Sequence, residues 1–393
     1  MLNNLHIKNF RMLEDLEIPK LGRVNLIVGK NNSGKSTVLE ALRIYASKAH
    51  PRLLREILAV HDESINTSIT PENDNPESDW LGLKHLFPNR TFPSDDDTSI
   101  SIHSEGKPLI QIEHAFYYIK SEESEDLLGD KIQNRSRVQV SKAGFSDIAE
   151  PLTSALKVTL GDGSRSAWLD LDSSRRETVN YAARWRVLDD IPTTSHSYIS
   201  TEFLTSEDLA GLWDLILLLP DNKIVLKALQ IIDAEVEGLA FIKTPEYDRF
   251  LRNRSRDSRM GVVKLSSLDF PVPLNSMGDG MSRILQLILS VFPAKNGILL
   301  IDEFENGLHF SVQEEVWRII FKLAKELNIQ VFATTHSWDC IESFTKIATE
   351  SPEEGVLLKI SKSRLSSDNG KVIATVYGES ELETITTSDL EVR

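Results

Sequence analysis

Cysteine occurs once, at Cys340, so no internal disulfide can form and no cysteine-based metal site is available. Long hydrophobic runs are also missing. The longest, around Leu215–Leu219 and Ile298–Ile301, fall far short of the ~20 apolar residues that cross a bilayer, so no membrane role is expected. The opening Met1-Leu2-Asn3-Asn4-Leu5 lacks the basic-then-apolar layout of a secretory signal, and a cytoplasmic protein is expected. Neither sustained heptads nor internal repeats occur, which excludes a long intramolecular coiled coil and a solenoid. Positive charge is in the minority: 44 Lys and Arg stand against 59 Asp and Glu, for a net charge of −15. Such a field disfavours broad binding to nucleic acid, although a local basic patch can still hold a backbone.

What is present is globular in composition, 40% hydrophobic and 26% charged over 393 residues, with room for two or three compact units. Gly29-Lys30-Asn31-Asn32-Ser33-Gly34-Lys35-Ser36 match the phosphate-loop pattern G-x-x-x-x-G-K-[ST] in full, followed by Thr37. An apolar strand, Val24–Val28, precedes the loop, and a helix with Val38, Leu39, Leu42 and Tyr45 on its apolar side follows it. Gly29 and Gly34 let the backbone wrap close to phosphates, and N–H groups at the helix start face the anion. Lys35 supplies a point charge for the β- and γ-phosphates, and Ser36 a hydroxyl for Mg²⁺. The chain is expected to bind a nucleoside triphosphate with Mg²⁺.

Ile298-Leu299-Leu300-Ile301 runs straight into Asp302-Glu303. A buried strand ending this way places Asp302 on the metal and Glu303 beside the γ-phosphate, where it can orient and deprotonate water. The plainer alternative is an ordinary strand-end acidic pair. Asn275-Ser276-Met277-Gly278-Asp279-Gly280 precedes an amphipathic helix. It reads either as a cap loop using Ser276 or Asp279, or as a second anion cradle, serving a partner's γ-phosphate because this chain's own phosphates occupy the first. Thr334-Thr335-His336-Ser337 closes a further strand, where His336 either touches the γ-phosphate or is structural.

Along the chain, strands are expected at Leu5–Phe10 and Leu16–Ile18, and an antiparallel sheet over 98–119 and 154–172. Residues 61–80 and 93–98, rich in Asp, Glu, Asn, Ser and Pro, read as exposed loops. A helical arm is expected over 206–238, broken at Pro220. From 274 onward helix and strand alternate: helix Met281–Phe292, strand Ile298–Ile301, helix Ser311–Leu327 and strand Gln330–Ala333. A hairpin of Gly355–Ile360 and Lys371–Tyr377 around Asp368-Asn369-Gly370 comes last. Arg249, Arg252, Arg254, Arg256 and Arg259 form the one basic cluster; it is a candidate for nucleic-acid contact or a solvated hairpin tip.

The ordered set GKNNSGKS, NSMGDGM, ILLIDEFENGLH and FATTHS resembles ABC-type ATPase heads, nearest the branch with SMC, RecF and OLD-type proteins. The opening LHIKNFRMLEDLEI is similar to the start of that branch. The resemblance implies an α/β P-loop fold, an ABC-ATPase-like head with a mixed sheet, split between residues 1–48 and 271–393. An insertion with acidic loops, antiparallel β segments and the helical arm would fill 49–270. Arg11 would lie near the nucleotide; Ser276, Gly278 and Gly280 would form the signature loop acting in trans, although SMGDG stands where transporters carry a Ser-Gly-Gly core. Glu305 to His309 would be the D-loop, His336 the switch histidine, and Gln111 is a candidate for the glutamine loop. Full OLD nucleases continue into a TOPRIM nuclease domain with an Asp-x-Asp pair; too few residues follow His336 for that domain, and the nuclease half is expected to be absent.

The resemblance therefore implies an Mg-dependent ATPase that closes as a homodimer, or a higher homo-oligomer, around two ATP molecules. It also implies a regulatory role in a two-component bacterial defence system of the PARIS, Septu or Gabija kind, with a separate effector such as a TOPRIM-type nuclease. Two alternatives remain open: a RecF-like head that clamps DNA, which the net charge opposes, and a nucleotide-gated scaffold that hydrolyses slowly. A transporter subunit fits least, because the stretch between Lys35 and Asp302 exceeds the usual spacing in that group.

Overall fold

The structure, a computed structural model, describes residues 1–63, 81–125, 131–171, 194–219, 222–243, 259–351, 354–363, 365, 368, 370–378 and 381–382. Strands β1 (Leu5–Phe10) and β2 (Leu13–Ile18) form a hairpin. Strand β3 (Val24–Val28) then runs through the glycine loop into helix α1 (Lys35–Ala46), followed by α2 (Pro51–Val60). Next come β4 (Ile100–His103), β5 (Ile110–Glu125), β6 (Lys131–Val140), β7 (Thr153–Leu160) and β8 (Arg165–Asp170). Strand β9 (His196–Ile199) leads to α3 (Ser206–Asp214), α4 (Asn222–Leu229), β10 (Val236–Lys243), β11 (Arg259–Leu265) and β12 (Val272–Pro273). The last part alternates α5 (Asp279–Leu289), β13 (Ile298–Ile301), α6 (Phe310–Glu326), β14 (Gln330–Thr335) and α7 (Trp338–Glu350). It closes with β15 (Gly355–Lys362) and β16 (Val372–Tyr377).

The central sheet runs β16-β15-β3-β14-β13-β9, with every pairing parallel except β15 with β16. Its middle strands β3, β14 and β13 are buried on both faces, as parallel strands require, and their successive residues alternate between two cores. Leu26, Leu299 and Ile301 face α5, α6 and α7, where Phe304 stacks on Trp317 with ring centroids 3.7 Å apart. Ile27, Ile298 and Leu300 face α1 and the antiparallel sheet. This is an α/β P-loop NTPase fold built as a mixed sheet with an antiparallel β layer. Among the described residues no helix is long and apolar enough to cross a membrane.

Both sheets draw strands from the 49–270 stretch. The antiparallel sheet has the order β2-β1-β4-β5-β7-β8, with β6 added on β5, so much of the 49–270 stretch extends the N-terminal hairpin. The edge of β1 left free by β2 pairs with β4, Ile7 opposite Ile102. Strand β9, also within 49–270, is an edge strand of the central sheet, with Ile199 opposite Ile301. Pairing of this kind joins residues far apart in sequence, which hydrophobic alternation cannot report. The helical arm is also shorter: helix ends at Leu229, and Val236 already opens β10. Its start is set by a reciprocal capping box between Thr205 and Asp208. Pro220, residues 64–80 and four of the five clustered arginines (Arg249, Arg252, Arg254 and Arg256) lie outside the described residues.

One ion cluster ties β2 to the C-terminal hairpin. Asp15 accepts from His6 Nε2 at 2.6 Å and from Lys371 Nζ at 2.9 Å, which holds its carboxyl down at about 2. The depressed value means the pair stabilises the fold fully above the unfolded carboxyl pKa and loses that contribution as pH falls through about 2. Asp15→Asn is therefore expected to cost about 0.5–1 kcal/mol at neutral pH, a small figure because the group is largely solvated. In denaturant titrations the deficit should shrink as pH is lowered from about 4 toward 2.

Candidate nucleotide site

The parallel register brings three strand ends to the same end of the sheet. Val28 lies opposite Thr335 and Ile301 opposite Ala333, so Gly29 and His336 leave the sheet together, and Asp302 leaves beside Thr334, two residues earlier. Gly29 has φ +151°, and a Cβ there would lie 2.2 Å from the Ile360 carbonyl on the neighbouring β15, so only glycine fits. Gly34 caps α1 with φ +104° and no side-chain cap, which leaves the first N–H groups of the helix free for an anion. Lys30, Asn31 and Asn32 are exposed on the loop, whereas Ser33 is buried. Lys35 Nζ donates to the carbonyls of Gly29 at 2.8 Å and Lys30 at 3.1 Å. Burial lowers the Lys35 pKa from its ordinary value, opposed by Asp302, Glu303 and Glu305.

Asp302 joins these parts. Its Oδ1 accepts from Ser36 Oγ at 3.1 Å and from Thr334 Oγ1 at 2.6 Å. Thr334 Oγ1 in turn accepts from the Glu303 N–H at 2.9 Å. His336 sits beside the acidic pair on the next loop: its Nδ1 is 3.1 Å from Glu305 Oε1 and 3.7 Å from Glu303 Oε1. Its backbone N–H and that of Ser337 both donate to the Glu305 carboxylate. Lys35, Ser36, Asp302, Glu303 and His336 are thus brought together. Mg²⁺ keeps most of its water and needs few protein ligands, so Ser36 and Asp302 suit it; among the described residues no cluster of three or more His, Cys, Asp or Glu could hold a metal.

Arg11 occupies a flank of the same region. With φ +53° it turns the β1–β2 hairpin, and its guanidinium lies 2.9 Å from both Glu40 and Glu63. It lines a cleft of about 660 Å³ together with Asn32, Ser36, Thr37 and Arg90. The stretch 276–280 is elsewhere. Gly278 caps α5 with φ +90° and no side-chain cap, and Ser276 Oγ donates to the Pro273 carbonyl at 2.6 Å. The capping alternative using Ser276 or Asp279 is therefore not what the helix adopts. Gly280 packs against Ile232 and the Gly307 carbonyl, and among the described residues no hydrogen bond links this loop to residues 29–36. Gln111 donates to Ser99 Oγ within the antiparallel sheet. Three participants escaped sequence reasoning: Thr334, Glu305 and a buried Arg283. The first two lie inside recognised motifs, but nothing in their spacing assigns them a contact.

Two family models match the chain: "AAA ATPase domain" over residues 1–162, and "AAA domain, putative AbiEii toxin, Type IV TA system" over 228–339. An ATP/GTP phosphatase of Helicobacter pylori is 24% identical over 368 residues, covering 89% of each chain. An OLD nuclease of Thermus scotoductus is 45% identical over 53 residues, 14% of this chain and 10% of that protein. Among solved structures, an SMC head bound to the C-winged helix domain of ScpA aligns over 98% of this chain and 99% of that one, at 13% identity and a TM-score of 0.46. Loop, sheet and family matches together make the chain a P-loop ATPase.

Thr334→Val keeps volume and removes the hydroxyl shared by Asp302 and the Glu303 N–H. It is expected to lower stability by about 1–2 kcal/mol, and to lower kcat for ATP at least about tenfold by loosening Glu303, measured by phosphate release beside a denaturant titration.

Proposed function

We propose that the chain is an Mg-dependent ATPase that works by nucleotide-gated, head-to-head dimerisation, and that it is the regulatory ATPase of a bacterial defence-type system with a separate effector. The observation that carries the reading is the presence, among the described residues, of two helix starts without side-chain caps, at Gly34 and Gly278. One, at Gly34, is surrounded by hydrolytic groups; the other, at Gly278, faces outward with none. A hydrolytic site that is completed by a second copy accounts for both.

In this reading the N–H groups of residues 30–36 and the Lys35 ammonium bind the phosphates, while Arg11 closes the cleft on its flank. Ser36 and Asp302 hold Mg²⁺, which neutralises phosphate charge when bound. Glu303 orients the attacking water and takes its proton. His336, fixed by Glu305 through its ring and its backbone N–H, touches the γ-phosphate. Ser276, Gly278 and Gly280 bind the γ-phosphate of the second copy. The likeness to an ATP/GTP phosphatase supports hydrolysis, and the likenesses to a toxin–antitoxin family model and to an OLD nuclease support the regulatory role and a nuclease-type effector.

Glu303→Gln should retain ATP and lower turnover by about 10²–10⁴. Its mass in solution, by light scattering, should double on adding ATP·Mg; a mass that ignores ATP counts against the sandwich. In a second assay, Ser276→Arg and Lys35→Ala subunits, each inactive alone, are expected to regain turnover when mixed, because one composite site then keeps an intact loop and an intact signature. No recovery would remove the trans assignment of Ser276.

A further inference from the structure

Arg283 lies on α5, one turn beyond Gly280, and is wholly buried. Its Nη1 donates to the Ser200 carbonyl at 2.9 Å; its Nη2 donates to the carbonyls of Asp302 at 3.2 Å and Glu303 at 3.0 Å. All three acceptors are backbone oxygens. Burial pushes its pKa down to about 10, against the opposing pull of Glu305, Asp302 and Glu303. Taking a guanidinium out of water costs several kcal/mol, and an apolar side chain would satisfy the packing of this helix face without that cost. Packing alone does not call for arginine here.

The reason lies at Glu303, whose φ is +49°. A non-glycine residue in the left-handed region costs about 1–2 kcal/mol, and it persists where its surroundings over-determine it. The N–H of Glu303 donates to Thr334 Oγ1 on β14. Its carbonyl accepts from Arg283 on α5. The peptide units on both sides of its Cα are therefore fixed, from opposite directions, by two different elements. Gln286, one turn further along α5 and equally buried, donates to the Glu202 carbonyl and touches neither Asp302 nor Glu303 in its hydrogen bonding.

We propose that Arg283 is a positioning residue for hydrolysis: it holds Glu303 in its strained backbone conformation and so links the start of α5 to the hydrolytic end of β13. It acts through the backbone of Glu303 and meets neither nucleotide nor water. The inference rests on Glu303 serving as the base.

The test compares Arg283→Lys, Gln286→Met and Glu303→Gln, singly and with Arg283→Lys combined with Glu303→Gln, in the full chain. Single-turnover ATP hydrolysis, binding of a fluorescent ATP analogue and thermal unfolding are read on each. Arg283→Lys is expected to lower the hydrolysis rate about 10–100-fold, part of what a positioned base contributes, with nucleotide affinity kept within about twofold. Gln286→Met should leave the rate within about twofold while lowering the unfolding midpoint. In the Glu303→Gln background Arg283→Lys should add no further loss, because both act through one group. If Arg283→Lys is not recovered folded, Arg283→Gln takes its place in the same cycle. A folded variant hydrolysing at the unmodified rate overturns the proposal. So do losses that multiply in the double variant, or a rate that falls only in step with affinity and unfolding midpoint. Should Glu303→Gln alone hydrolyse normally, the base assignment fails first, before Arg283 is altered, and this inference fails with it.

Discussion

The carboxylate of Asp302 accepts from Ser36 on one side and from Thr334 on the other, which joins three strand ends that the chain reaches at widely separate points. This junction exists because β3, β14 and β13 are parallel and in a register that sets Asp302, at the end of β13, beside Thr334 on β14. Adjacent strands lie about 4.8 Å apart, so short side chains at neighbouring ends can meet without bending the sheet. Shift β14 by one residue and Thr334 turns to the other face, since side chains alternate along a strand. The hydroxyl would then serve neither Asp302 nor Glu303. The apolar residues of β13, Ile298 to Ile301, therefore do more than fill two cores: they fix the depth at which the acidic pair emerges.

Strain and burial are concentrated around that junction. Glu303 adopts a left-handed conformation, Arg283 carries a charge in the interior, and Lys35 is half-buried among its own loop carbonyls. Each costs free energy, and the packing around them offsets it, notably the Phe304–Trp317 stack directly after Glu303. Backbone N–H groups at Gly34 and at Gly278 are left without side-chain caps, where an ordinary helix would carry Ser, Thr or Asp.

Arg11 lines one cleft with Ser36 and Thr37, and its guanidinium is flanked by Glu40 and Glu63. Glu40 comes from α1, one turn beyond the phosphate loop, and Glu63 from the chain after α2, a helix that the sequence reading did not assign. His61 adds to the cluster, its pKa raised by the hydrogen bond to Glu40.

The sequence by itself determined the local parts. The phosphate loop, the apolar strand before Asp302-Glu303, the hairpin at the start and the helix–strand alternation after residue 274 were all legible, because each depends on spacing within one segment. Gly29 and Gly34 could be read for the same reason: their conformational demand is local. Tertiary structure decided which strands pair and what the polar side chains touch. The placement of β9 beside β13, the growth of the N-terminal hairpin into a large antiparallel sheet, and the contacts of Thr334, Glu305 and Arg283 depend on partners elsewhere in the chain, up to 102 residues away between β9 and β13. Hydrophobic periodicity records which face is buried, not against what it is buried. A buried arginine in an amphipathic helix is therefore visible in the sequence only as an interruption, and its purpose appears once the carbonyls it serves are brought to it.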